Sequence, residues 1–365
     1  MIYRYFENYN NFKCIADKCP ATCCSGWAIE VDDVSLDKYE KCGDRRLLDN
    51  IDYQSQCIKQ QPDGDCAFLR KDKLCQMYID FGEDYFCETC DKYPRHMEEF
   101  PNVREYSLSV SCPVVAESFF DECRELRSQK SDKDFGALYE EESDSQKEDT
   151  YDDFDEELYE ILVEARKTVL ELLRSTRKSF AEKGRHIFAV MGQLQLMIDE
   201  GEDKETILNW LKKDALSFCP ETHLDNILSE FKYFSLLFEL EPLQPEWNEF
   251  IKEAAKTVRS LKNSGPAGKN NVDCTKSDMI NVDLIENFEK VHTKCDDWCT
   301  HIAVYFTYTY LCGAVYDDYV FSMGVLGIYN ACMIKYLWAA KWNNRDEALS
   351  TEELSEVLYR YSREL

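Results

Sequence analysis

Basic charge is scarce in this chain of 365 residues: 43 lysines and arginines stand against 71 aspartates and glutamates, a formal net charge of −28. No basic stripe offsets the deficit, so phosphate is repelled and the composition argues against nucleic-acid binding. An acidic surface favours solubility and attracts cationic partners, lysine-bearing segments among them. Histidine is rarer still, at five residues, and none lies in an H-E-x-x-H motif. The opening stretch, Met1 to Asn10, has no apolar core and no small-residue cleavage site, which points to a cytoplasmic protein. A glycine-rich nucleotide loop is also missing. Gly324-Val-Leu-Gly327 is the nearest approach, without a preceding strand or a suitable acidic partner. The longest apolar run, Phe321 to Ala340, contains Asn330 and Lys335 and follows Asp317 and Asp318. It reads as a buried core helix, and no membrane partner is expected.

Cysteine, by contrast, is abundant. Twelve of the 18 fall within the first 123 residues, and nine stand in one ordered arrangement. It begins with Cys14, Cys19, Cys23 and Cys24, continues with Cys66 and Cys75, and closes with Cys87-Glu-Thr-Cys90 and Ser-Cys112-Pro. Without export, so many cysteines are better read as reduced metal ligands than as a disulfide framework. Thiolates are soft anionic ligands, and four complete one tetrahedral zinc or one [4Fe–4S] cluster. Nine therefore suffice for two sites, or for one cluster with structural thiols beside it. Their convergence in space is the first expectation.

Hydrophobic content of 44% and aromatic content of 13% fit a folded globular protein. The fold class expected is mainly α: a small cysteine-rich, metal-stapled N-terminal domain followed by an α-helical bundle. Residues 1–127 form the cysteine-rich unit, with short apolar runs between turn-like stretches such as Pro62-Asp-Gly-Asp65. Residues 128–157 carry thirteen acidic residues against three lysines and read as an acidic linker or loop with little packing. Residues 158–365 form the bundle. Leu158, Ile161, Leu162, Ala165, Val169 and Leu172 make one apolar stripe. Similar stretches cover 185–200, 204–216, 221–240, 245–261, 280–316, 319–342 and 351–364, with a loop at 262–278. Ser350 with Glu353 has the form of a capping box.

Cys42, Cys57 and Cys123 lie outside the ordered pattern and read as small core residues, as do Cys219, Cys274, Cys312 and Cys332. Cys295 and Cys299 have helical i, i+4 spacing but no nearby third ligand in sequence. The Cys-x3-Cys-x2-Cys pattern of radical S-adenosylmethionine enzymes is absent: Gly26 and Ile302 stand where third cysteines would be needed. His96 is the one histidine near the cysteines and reads as a surface or supporting residue.

The stretch Phe12-Lys-Cys14 to Trp27, with Ile29 and Val31, resembles the opening of the flagellin lysine-N-methylase family. So do Cys66-Ala-Phe-Leu69, Leu74-Cys75, Cys87-x2-Cys90-x2-Tyr93-Pro94-Arg95 and Ser109-Val-Ser-Cys112-Pro113. A shorter group of zinc- or iron-chelating cysteine-cluster proteins shares part of this pattern. The resemblance implies methyl transfer from S-adenosylmethionine to flagellin lysines by an enzyme holding an iron–sulfur cluster. It assigns cluster ligation to Cys14, Cys19, Cys23, Cys24, Cys66, Cys75, Cys87, Cys90 and Cys112 as a set. Tyr93 and Arg95 are then candidates for shaping the catalytic site, with Arg95 pairing the donor's carboxylate. Trp27 is a candidate to stack on the donor's adenine or sulfonium. Two other readings stand beside this one: a non-catalytic zinc- or iron-binding interaction protein, and a protein that stores or delivers the metal.

Overall fold

The computed structural model describes residues 1–6, 9–120, 139–142, 154–218, 234–239, 245–260 and 279–363. Cys123, Cys219, Cys274, the loop read at 262–278 and most of the helical stretch at 221–240 lie outside these described residues. The protein is mainly α-helical, as its periodicity predicts, and its buried side chains gather in two hydrophobic cores.

The first strand, β1 (Ile2–Tyr5), belongs to the larger core's sheet; the smaller core follows it in the chain. That core is built from β2 (Ile29–Glu30), α1 (Asp33–Cys42), α2 (Arg45–Leu48), β3 (Ile51–Asp52), β4 (Cys57–Ile58), α3 (Gln76–Phe81) and α4 (Glu88–Lys92). Its sheet runs β2-β4-β3, antiparallel throughout. Asp32 starts α1 by accepting from the Ser35 N–H at 2.9 Å, and its other oxygen accepts from the Glu88 N–H at 2.8 Å. One carboxylate thus caps α1 and fixes the start of α4. Gly43 ends α1 at φ +66°, a left-handed position that suits glycine. Tyr39 is fully buried at the centre and donates to the Tyr85 carbonyl at 2.7 Å.

The larger core begins with the hairpin β5 (Arg95–Phe100) and β6 (Val103–Leu108), followed by α5 (Pro113–Glu117). β1 pairs parallel to β6, and β7 (Tyr139–Glu142) pairs antiparallel to β1 with Glu140 opposite Arg4. The acidic stretch 128–157 is therefore not all unpaired loop. Its four-residue strand finds a partner edge, Phe154 packs against Phe100 and Tyr159, and Asp155 caps the next helix. The remainder of that stretch lies outside the described residues.

The helical body comprises α6 (Glu156–Arg174), α7 (Phe180–Asp199), α8 (Lys204–Lys213), α9 (Pro245–Val258), the short pair β8 (Arg259–Ser260) and β9 (Met279–Ile280), α10 (Val282–Val291), α11 (Cys295–Tyr310), α12 (Val320–Trp342) and α13 (Thr351–Arg363). Ser350 and Glu353 form the expected reciprocal cap of α13, and Ser179 with Glu182 does the same for α7. The helical stretch read across 280–316 is broken at His292. Its Nδ1 donates to the Phe288 carbonyl, and its Nε2 accepts the Leu349 N–H at 2.8 Å. The ring so closes α10 and fastens the loop before α13.

α12 is long and apolar enough to span a membrane, yet most of it is buried by α7, α9 and α11. It is the central helix of the body, apolar on every side because every side is covered. A Cβ at Gly327 would come within 2.5 Å of the Ala303 carbonyl oxygen; glycine lets α11 and α12 approach closely. Asn330 accepts from the Tyr361 hydroxyl at 2.8 Å, and Lys335 donates to Glu289 at 2.8 Å.

The sheet is bonded to the helices by a buried ion pair. Glu105 on β6 and Arg166 on α6, each 3% exposed, form a two-pronged contact. Arg4 adds a third donor to Glu105 at 3.1 Å, and Arg166 reaches the Tyr308 carbonyl at 3.0 Å. Burial pushes the Glu105 carboxyl up, but the Arg166 charge and the hydrogen bonds from Arg166 and Arg4 win and hold it below its ordinary value of 4.5. The pair's stabilisation is therefore complete above that ordinary value and lost as pH falls through the lowered one. Glu105→Gln leaves a buried guanidinium without its counter-charge. It should cost about 3–5 kcal/mol in denaturant unfolding at neutral pH, with a much smaller difference from the parent in strong acid.

Candidate functional site

The nine ordered cysteines come from loops and from the starts of short helices. Cys75, Cys87 and Cys112 immediately precede α3, α4 and α5. None of the three forms a side-chain cap hydrogen bond. Burial pushes the Cys112 thiol up, and the backbone N–H groups of Val114 and Val115 oppose that rise. Burial likewise raises Cys75 against the N–H groups of Tyr78 and Met77. The amides that begin a helix thus favour the anionic form that a metal requires.

Backbone pairing brings distant cysteines together. The Cys66 N–H donates to the Cys24 carbonyl at 2.7 Å, and Cys75 bridges Leu69. Cys24, Cys66, Cys75, Cys87 and Cys90 all belong to the smaller core or pack against it. Cys112 belongs to the larger core; after burial, the Cys19 and Cys14 thiols also push its thiol up, and it adds to the rise of Cys23. All nine are free thiols. The Cys23 and Cys24 thiols influence one another's ionisation, as do those of Cys87 and Cys90.

Cys42 and Cys57 stand apart, but not as core residues. Cys42 is exposed beside Tyr85, and the half-exposed Cys57 donates to the Ser55 carbonyl at 3.2 Å. Both occupy ends of short surface elements, where the core reading of a lone cysteine fails. Cys312 and Cys332 are buried as expected. Cys295 and Cys299 approach to 3.9 Å, and α12 brings Cys332 and Lys335 alongside, a third thiol that spacing in the sequence does not reveal. The Lys335 ammonium among these thiols opposes a further cation.

Among the described residues, no three His, Cys, Asp or Glu side chains converge tightly enough to enclose a single metal ion. A lone tetrahedral ion with 2.3 Å bonds needs sulfurs about 3.8 Å apart. A polynuclear cluster sits between more widely spaced thiolates, and the donor set here is purely thiol. The all-thiol donor set suits a soft metal in chemistry, but the tight convergence expected of the nine thiols is not found among the described residues.

Around the Cys23 end lies an aromatic and cationic wall. Trp27 donates to the Cys23 carbonyl at 2.7 Å, and its ring lies 6.1 Å from that of Tyr93. The Tyr93 hydroxyl meets Ser111 Oγ at 3.1 Å, and the Tyr93–Pro94 bond is cis. Burial pushes the Tyr93 phenol well above its ordinary value, so at neutral pH it remains protonated. It can line a site and share a hydrogen bond, but it is a poor base. Arg95 is exposed, with its guanidinium over the rings of Tyr9 and Phe12 at 5.8 and 5.7 Å. His96 pairs with Glu98 at 2.7 Å.

The arginine that the fold brings to the thiols is Arg363, at the end of α13. It donates to the Ser111 carbonyl and to the Ala21 carbonyl, each at 3.0 Å, and Ala21 also accepts from the Cys19 thiol. Arg363 is separated from its partners by 252 and 342 positions. Only tertiary structure joins them, and no local signal marks it.

The shared proton of the Cys23–Cys24 pair gives a test. Hydrogen bonding from Cys23 draws the Cys24 thiol down to about 7, while burial pushes Cys66 up to about 12. In metal-free reduced protein, alkylation near neutral pH should label Cys24 well before Cys66. Cys23→Ala should shift the Cys24 midpoint upward, read by peptide mass spectrometry.

Comparison with known proteins places this geometry in a family. Residues 166–365 match the profile of the FliB lysine N-methylase C-terminal domain. Flagellar biosynthetic protein FliU of Salmonella muenchen is 28% identical over 116 residues, 29% of this chain and 69% of that protein. The lysine-N-methylase of Salmonella choleraesuis strain SC-B67 is 28% identical over 116 residues, 29% of each chain. That of Salmonella typhimurium strain LT2 is 28% identical over 115 residues, covering 28% of this chain and 29% of its own length. The matched region thus spans less than a third of either lysine-N-methylase. No solved structure matches the chain. The profile falls on the helical body rather than on the cysteine motifs, and through it the chain belongs to the FliB lysine N-methylase family.

Proposed function

We propose that the chain is a lysine N-methyltransferase that moves a methyl group from S-adenosylmethionine to flagellin lysines, with an iron–sulfur cluster held by its N-terminal thiols. The observation that carries this reading is the lysine N-methylase profile over residues 166–365, in one chain with nine free thiols in an ordered N-terminal pattern. The relatives named for lysine methylation and for flagellar biosynthesis support the reaction and the substrate class. A bound cluster would supply positive charge and, with an open iron position, a place to hold the donor.

The protein's own residues then have limited tasks. The target ε-ammonium must shed a proton before its nitrogen attacks the methyl carbon, and a desolvated site lowers the cost of that loss. Trp27 and Tyr93 form an apolar wall suited to a sulfonium or an adenine ring. Arg95 is exposed, and no ion pair to it occurs among the described residues. Its guanidinium remains our candidate for the donor's carboxylate. The strongly acidic surface favours approach of lysine-bearing segments.

Anaerobically purified protein with S-adenosylmethionine should add 14 Da increments to flagellin lysines by mass spectrometry. Arg95→Ala should retain the metal and raise the donor KM, a charge-assisted pair being worth about 2 kcal/mol. Cys23→Ala with Cys24→Ala should abolish metal and transfer together. Metal-loaded protein that leaves flagellin unmodified would contradict the reading.

A further inference from the structure

Strand alternation sorts the first residues of the chain onto two faces of the sheet. In β1, Ile2 packs against the larger core and Arg4 meets the buried Glu105, so Tyr3 and Tyr5 face the other way. The parallel register sets Tyr3 opposite Arg104 and Tyr5 opposite Tyr106, and residues opposite one another share a face. Tyr106 thus joins Tyr3 and Tyr5 on the outer side. These three rings are half-buried, yet they neither belong to a hydrophobic core nor pack against one.

The rings pack on one another instead. Tyr106 stacks on Tyr5 at 5.0 Å and on Tyr3 at 6.5 Å, and Tyr9 leans on both Tyr5 and Tyr106 at 5.4 Å. The row continues to Arg95, whose guanidinium lies over Tyr9 and Phe12. A cation of the chain itself already uses these rings. Phe12 lies two residues before Cys14, and Arg95 two residues after Tyr93, so the row ends beside the Trp27–Tyr93 wall. The charge around it is mostly negative. Arg104, the other cation on this side, is answered by Glu99 at 2.9 Å. The backbone of β7 brings the sequence Tyr-Glu-Glu-Glu alongside β1, and the whole chain carries −28.

From this we infer that the tyrosine row is the docking surface for the protein substrate. A lysine-bearing segment lies across Tyr3, Tyr106, Tyr5 and Tyr9 and presents its target lysine at the Arg95 end. The inference rests on the methyltransferase reading above and names the surface that would position its substrate. The negative face of an aromatic ring attracts an ammonium group, and neighbouring carboxylates strengthen the attraction. The same surroundings repel an acidic segment or a phosphate backbone. Stacked tyrosines also offer a rigid contact area that loses little side-chain freedom on binding.

The test measures binding of monomeric flagellin to the full-length, anaerobically purified protein by biolayer interferometry, with no methyl donor present. Tyr5→Ala with Tyr106→Ala should raise Kd about tenfold at an unchanged thermal midpoint, whereas Tyr5→Phe with Tyr106→Phe should stay within about twofold of the parent, since the rings remain. Tyr3→Lys, a single change at the far end of the row, should also weaken binding and serves if the double alanine variant does not fold. Flagellin whose lysines have been carbamylated, and so made neutral, should bind the parent more weakly. An unchanged Kd in the folded alanine and lysine variants overturns the inference. So does equal affinity for carbamylated flagellin, or a parent that does not bind flagellin. Tyrosine-dependent binding without any methyl transfer would strike the catalytic reading and leave this surface standing.

Discussion

Nine free thiols in the N-terminal third, several of them buried in or against the two cores, are a constraint that the surrounding structure must satisfy. Ionised together without a cation they would repel one another, and burial alone pushes several of them toward the protonated state. Protonated, they can only pair as weak donor and acceptor, as Cys23 with Cys24 and Cys87 with Cys90 do. The metal proposed for these thiols would resolve both problems, supplying the counter-charge and replacing weak pairwise contacts with bonds. The short helices opened by Cys75, Cys87 and Cys112 lean the same way, since their first amides favour anionic sulfur.

The helical body positions this arrangement. β6 carries Glu105 into Arg166 of α6, and two residues past its end the Val110 N–H donates to the Tyr305 hydroxyl oxygen at 3.4 Å. The segment from Ser109 to Cys112 is thereby fixed to α6 and α11 before it reaches the thiols. Arg363 then closes the other side, holding Ser111 and Ala21 from the end of α13. The region that carries the family profile thus holds the Ser109–Cys112 segment and Ala21 in place.

Much of the helical architecture was legible because amphipathic spacing and caps are local. The stripe from Leu158 to Leu172 and the Ser350–Glu353 box appear where the pattern places them. The break at His292 was not, because it depends on Leu349, 57 positions away. The strand at 139–142 was hidden by its charge, since acidic composition signals solvation while an edge pairing needs only backbone. The ordered spacing of the cysteines led to an expectation of tight convergence that the described residues do not show. Arg95 drew attention by adjacency to Cys90, yet a β-strand start carries it toward Tyr9 and Phe12, and the arginine near the thiols came from the far end of the sequence.

The central claim is that metal binding by these thiols holds the smaller core together. Hydrogen exchange by mass spectrometry, comparing anaerobically purified protein before and after chelation, tests it most directly. The account predicts that peptides within residues 24–90 lose protection on metal removal, while those from α6, α7, α11 and α12 keep theirs. Unchanged protection across residues 24–90 after complete removal of metal would contradict it.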